Sequence, residues 1–200
     1  SVCFLSPFVK PEDLKCLNMR FFGLGVSVME KLGVGTVQLP GGEIFGALEK
    51  GAIDASEFSQ PAIDQRLGFH KVAKYNYFPG WHQQSTVFEL LINKDTWNKM
   101  SDTQQAAVET TCMATMTYSI AEGEALQFAA MEKAKENGVE IRYWNKEMLN
   151  LFENTWLEVV DEKKAADPFF DKVWSDLSTF REGYALWAAN GFLPRETQSQ

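Results

Sequence analysis

The stretch Val34-Gly-Thr-Val-Gln-Leu39-Pro40-Gly41-Gly42-Glu43-Ile-Phe-Gly-Ala-Leu-Glu-Lys50-Gly51-Ala-Ile-Asp54-Ala-Ser-Glu57-Phe58 decides the fold class. Val34 to Leu39 reads as a strand, Pro40-Gly-Gly as a turn, Glu43 to Lys50 as a short helix, and Gly51 to Phe58 as a second strand with acidic residues towards its end. One step earlier the rhythm is the same. Asn18-Met-Arg20-Phe-Phe22 reads as a strand, and Gly25 to Lys31 as a helix with Val26, Val28, Met29 and Leu32 apolar. Strands alternating with short helices predict an α/β fold on a parallel, doubly wound sheet.

Working outward, Pro61 to Leu67 reads as a short helix, His70 to Phe78 as a strand rich in aromatics, and Thr86 to Asn93 as a β-rich run. Ser101-Asp-Thr-Gln104 has the form of a capping box, in which the hydroxyl and the amide satisfy orphan backbone donors. It predicts a long helix over about 101–137, closed by Asn137-Gly138 and about 50 Å long. Val139 to Trp144 reads as a strand, and Asn145 caps a helix through Met148, Leu149, Leu151, Phe152, Trp156 and Val159. A last helix follows Asp167-Pro168. Its Phe169, Phe170, Val173, Trp174, Leu177, Phe180, Tyr184, Leu186 and Trp187 fall at helical spacing and read as core. The tail Arg195 to Gln200 reads as frayed.

Composition limits the function classes. The chain has 200 residues, 45% hydrophobic and 23% charged, enough for one large or two small cores. A net charge of −8 argues against a nucleic-acid partner, because that binding depends on Lys and Arg neutralising phosphates. Apolar runs break well short of the roughly 20 residues of a membrane span, and no signal peptide opens the chain. Cys3, Cys16 and Cys112 offer no C-x-x-C pair and no metal spacing, so they read as inert thiols.

Few side chains stand out for chemistry. Arg20 closes a predicted strand, and ligands of open α/β sheets gather outside the carboxyl ends of strands, where a guanidinium can clamp a carboxylate. Glu57 closes another strand and could bind a hard cation or accept backbone donors. Gln83 follows Pro79-Gly-Trp81-His82, and its amide oxygen is also an acceptable hard-cation ligand. His70 and His82 read as structural histidines, since there is no Gly-x-Ser-x-Gly elbow to use them as a base. Gly23-Leu-Gly25 lacks the third glycine of a dinucleotide fingerprint, and no phosphate loop exists. No catalytic residue and no catalytic cofactor is expected.

The order of four motifs is specific. Pro11-Glu-Asp-Leu-Lys-Cys-Leu-Asn-Met-Arg20 comes first, then Leu39-Pro-Gly-Gly through Ala55-Ser-Glu57-Phe58, then Phe78-Pro-Gly-Trp-His-Gln83, then Leu91-Ile-Asn-Lys-Asp-Thr-Trp97. Over essentially all of the chain, this order resembles the extracytoplasmic solute-binding proteins of tripartite ATP-independent periplasmic (TRAP) transporters, closest to the branch that binds 2-oxo acids with a cation. The resemblance implies a two-lobed, class II-like binding-protein fold with a long helix running along both lobes. It implies a periplasmic receptor, not an enzyme, for a small 2-oxo or 2-hydroxy acid such as pyruvate or lactate. Arg20 stands where the family's carboxylate-gripping arginine falls, although Cys16 and Asn18 replace the usual Gly and Lys. The bridging sodium or calcium would take the Glu57 carboxylate, the Phe58 backbone carbonyl and the Gln83 side-chain oxygen. Phe58, where the branch has Trp, would also wall the pocket, so Arg20, Phe58 and Gln83 are the expected substrate contacts.

The implied domain plan assigns 1–57 and 94–200 to a second lobe and 58–93 to a segment returning to the first, with the remainder of the first lobe outside this chain. Expected partners are a small organic acid and the transporter's membrane subunits. A domain-swapped homodimer through the long helix is expected from the apolar surface such a piece would expose. Two other readings are a metal-dependent enzyme acting on a keto acid, with His70, His82 or Asp54 as base, and a non-binding oligomeric fragment.

Overall fold

A computed structural model describes residues 2–7, 10–83 and 85–193. The chain divides into two compact units, Ser1–Phe152 and Glu153–Gln200. The first is built on a six-stranded sheet of β1 (Val2–Phe4), β2 (Asn18–Arg20), β3 (Gly35–Val37), β4 (Ala55–Glu57), β5 (Tyr75–Phe78) and β6 (Glu140–Tyr143), in the order β3-β2-β4-β1-β5-β6. Strand β2 lies parallel to β3 and β4, and β5 parallel to β6, as the strand-helix alternation predicts. The departure is β1, which inserts between β4 and β5 antiparallel to both, so the sheet is mixed. Three residues are too few for a periodic signal, and β1 is held by neighbours more than 50 positions away in sequence.

Alternation on β1 splits the core into two layers. Val2 and Phe4 face one side with Met19, Phe21, Ala55, Tyr77, Trp144, Met148 and Phe152. Cys3 faces the other with Ile44, Leu48, Ile53, Phe69 and Ala73, beneath α2 (Gly41–Glu49) and α4 (Phe69–Val72). A sheet covered on both faces explains why Val2, Cys3 and Phe4 are all buried. Within 58–93, the segment expected to return to the first lobe, Tyr75–Phe78 pairs between β1 and β6 in this sheet. The run Thr86–Asn93 forms no strand: Phe88 and Leu91 are 88% and 85% exposed. β-propensity needs a partner ladder to be realised, and none reaches this segment among the described residues.

The long helix is as expected: α6 covers Asp102–Glu136, and the Ser101 hydroxyl and Gln104 side chain make both bonds of the capping box. It is pinned to α3 (Pro61–Arg66), where Gln127 accepts from the Ala62 amide at 3.1 Å and donates to Gln60 at 3.0 Å. The unit boundary falls inside α7 (Lys146–Ala166). In the second unit α7 turns into α8 (Pro168–Gly191) at Asp167, whose carboxylate caps the Phe169 amide at 2.8 Å. Trp156 meets Trp174 edge-on, with ring centroids 5.7 Å apart. The aromatic series of α8, read as core, is largely exposed: Phe169, Phe180, Trp187 and Leu186 face out, the last at 75%. Helical spacing marks an apolar surface, but burial needs a facing element, and within this unit a second helix can cover only one stripe. Among the described residues no helix is long and apolar enough to cross a membrane. The tail 195–200 lies outside the described residues.

Candidate functional site

The parallel strands β2, β3 and β4 end together, and their carboxyl ends bring Arg20, Leu39 and Glu57 into one place. Arg20 and Glu57 are each only 6% exposed. The Arg20 Nε donates to the Leu39 carbonyl at 3.1 Å, and Nη1 donates to the Glu57 carbonyl at 2.7 Å and to Glu57 Oε2 at 3.0 Å. A guanidinium carries five N–H donors in a fixed fork, and these bonds engage Nε and Nη1. The Nη2 amino group has no hydrogen-bond acceptor among the described residues. Burial pulls the Arg20 pKa down from its ordinary value, against the attraction of Glu57. An arginine stays charged through such a shift.

Two aromatic rings complete the arginine's surroundings. Its guanidinium carbon lies 5.3 Å from the ring centroid of Phe58 and 5.7 Å from that of Phe22, within cation–π range. Phe58 in turn sits over the Pro40-Gly-Gly turn. A Cβ at Gly41 would lie 2.6 Å from Phe58 Cζ, so this glycine is required for the close approach. Phe58 also meets Phe69 edge-on at 6.0 Å, which ties the site to the second core layer.

The second oxygen of Glu57 is taken by a residue read from sequence as merely structural. His82 Nε2 lies 3.3 Å from Glu57 Oε1. The signal was present in the Pro79-Gly-Trp-His run, because the residue beside an expected ligand shares its strand end, but spacing alone gives no direction to a side chain. Gln83 is not joined to this cluster: its Nε2 donates to the Thr86 hydroxyl at 2.8 Å and the Ser85 carbonyl at 3.1 Å, within its own exposed loop. Anchoring the amide nitrogen leaves Oε1 as the end that can face a ligand.

The residues present fit a hard cation by chemistry. Among the described residues no group of three or more His, Cys, Asp or Glu side chains could hold a metal, so a cation here would draw on amide and backbone oxygens as well. A carboxylate and backbone carbonyls, the oxygens found at these strand ends, are donor types that sodium and calcium take. Each Glu57 oxygen carries one neighbour and keeps further lone-pair capacity.

Residues 4–166 match the family model for DctP, the bacterial extracellular solute-binding protein family 7. The chain is 32% identical over 176 residues to a monocarboxylate 2-oxoacid-binding periplasmic protein of Nostoc sp. (strain PCC 7120), covering 88% of this chain and 48% of the relative. Its fold matches a TRAP transporter solute-binding protein from Bordetella bronchiseptica RB50, a mixed-occupancy dimer with copurified calcium and picolinate in one site, at TM-score 0.84 and 32% identity over 93% of this chain and 55% of that one. It also matches a TRAP periplasmic solute-binding protein from Pseudoalteromonas atlantica T6c with bound sodium and pyruvate, at TM-score 0.81 and 29% identity over 93% of this chain and 57% of that one. The chain thus spans about half the length of the relatives it matches.

Proposed function

Since the chain belongs to the bacterial extracellular solute-binding protein family 7, we propose that it carries the solute-recognising face of a TRAP receptor that binds a small 2-oxo or 2-hydroxy acid in the periplasm. The observation that carries the reading is the Arg20 guanidinium, fixed at three parallel strand ends by its Nε and Nη1 bonds while the Nη2 donors are left over. A ligand carboxylate would take those donors, and the rings of Phe22 and Phe58 would flank it. Because Glu57 already neutralises Arg20, an added anion leaves an excess negative charge that a bound cation would offset. Glu57, the Phe58 carbonyl and Gln83 Oε1 would hold that sodium or calcium ion, which would supply a second electrostatic anchor for the acid.

Closure of the other lobe over these strand ends would convert binding into a docking signal for the membrane subunits, a shift between open and closed populations. Self-association belongs to the same proposal, supported by Met113, Met116, Ile120 and Phe128 exposed along α6. The test is a thermal-shift panel of small organic acids, each with sodium, calcium or chelator. Pyruvate or lactate at 100 times its Kd should stabilise by about 2.7 kcal/mol. The shift should vanish with Arg20→Met, and no shift with any acid and cation pair would refute the reading. Light scattering over a concentration series checks the dimer.

A further inference from the structure

We propose that His82 is the positioning residue of this site: by holding Glu57 Oε1 while Arg20 holds Oε2, it fixes the plane of the carboxylate and so sets the strength of the cation site. The inference deepens the binding reading above and rests on it. A glutamate carboxylate turns about a broad terminal torsion. One anchor, the 3.0 Å bond from Arg20 Nη1, fixes one oxygen and leaves the other free to swing. A second anchor at 3.3 Å on the opposite oxygen removes that freedom. Positioning groups of this kind orient a ligating carboxylate before the metal arrives.

The imidazole is itself held by a chain of rings. It meets Phe21 edge-on at 5.0 Å and Trp81 edge-on at 5.4 Å, and Trp81 stacks on Phe152 at 4.5 Å with the planes 15° apart. The His82 side chain is 10% exposed, so its direction is set by the core. If the ring were there only to fill space, a phenylalanine would pack the same slot without enclosing polar nitrogens. His82 Nδ1 is enclosed with no hydrogen-bond partner among the described residues, a cost the site tolerates. Among the described residues the polar contact of this imidazole is the 3.3 Å approach of Nε2 to Glu57 Oε1, and that contact accounts for a histidine at position 82.

Two substitutions separate positioning from packing. His82→Phe keeps the ring and removes the nitrogen, and His82→Gln keeps an N–H donor and removes the ring. Crystal structures of both would locate the Glu57 carboxylate. Calorimetry would titrate calcium with potassium pyruvate in excess, then potassium pyruvate at saturating calcium. In His82→Phe the carboxylate is expected to leave its position, and calcium affinity to fall about 10- to 100-fold. Pyruvate affinity at saturating calcium should stay within about 3-fold, because Arg20 is untouched. In His82→Gln both the carboxylate position and most of the calcium affinity should return. A Glu57 conformer unchanged in His82→Phe overturns the proposal, as does an equal loss in both variants. If the unaltered chain binds neither calcium nor pyruvate, the binding reading fails, and the Glu57 conformer in whichever variant folds still decides the positioning role.

Discussion

Replacing Arg20 by methionine isolates what the strand-end cluster contributes to stability. Methionine keeps much of the aliphatic stem but removes the guanidinium, and with it the contacts to the Phe22 and Phe58 rings and the bonds to the Leu39 carbonyl, the Glu57 carbonyl and Glu57 Oε2. The Glu57 carboxylate then remains buried with His82 Nε2, 3.3 Å from Oε1, as its remaining ion-pair contact among the described residues. Breaking a buried ion pair from one side costs about 3–5 kcal/mol, because the partner is left uncompensated. In a chain of this size each kcal/mol moves Tm by about 2–4 °C, so a fall of roughly 6–20 °C is expected. The double variant Arg20→Met with Glu57→Leu removes both charges and should recover most of the loss. Urea unfolding followed by tryptophan fluorescence, with amide exchange read on β2 and β4, measures each corner of the cycle. A loss under about 1 kcal/mol for Arg20→Met would match an exposed pair and would refute the claim that this cluster is a desolvated ion pair.

Two further outcomes test other parts of the fold. At an open first turn of α2, Gly41→Ala would stabilise by reducing unfolded-chain entropy; here its Cβ would meet Phe58 Cζ at 2.6 Å, so a destabilisation of about 1–3 kcal/mol is expected in urea unfolding. His70 has its pKa lowered below the ordinary 6.5, first by burial and then by Lys71, Lys74 and Lys133. The unfolded chain therefore takes up a proton that the folded chain resists, so stability is present above the ordinary value and falls as pH drops through it. His70→Gln should flatten that acid-side decline when urea midpoints are compared at neutral and mildly acidic pH, and an unchanged slope would contradict it.

Local chemistry was enough to read several elements. The Ser101 and Gln104 box starts α6, and Asn137-Gly138 ends it, because capping is decided by side chains three residues apart. The β-α-β steps from Asn18 to Glu57 were legible because strand and helix periods differ, and the same periodicity placed Arg20 and Glu57 at strand ends where ligands gather. Three things were settled only by tertiary structure. Strand β1 reverses direction inside the sheet because its pairing energy comes from β4 and β5 rather than from its own three residues. The apolar spacing of α8 and the β-rich run at Thr86–Asn93 announce surfaces that want a partner, and whether one is present cannot be written in the segment itself. Finally, Arg20, Glu57 and His82 lie up to 62 positions apart in number, and their 3.0 Å and 3.3 Å contacts arise because strand order and an aromatic stack bring three separate stretches of chain to the same end of the sheet. Residue types carried the chemistry of this protein; the distances through which that chemistry acts exist only once the sheet has closed.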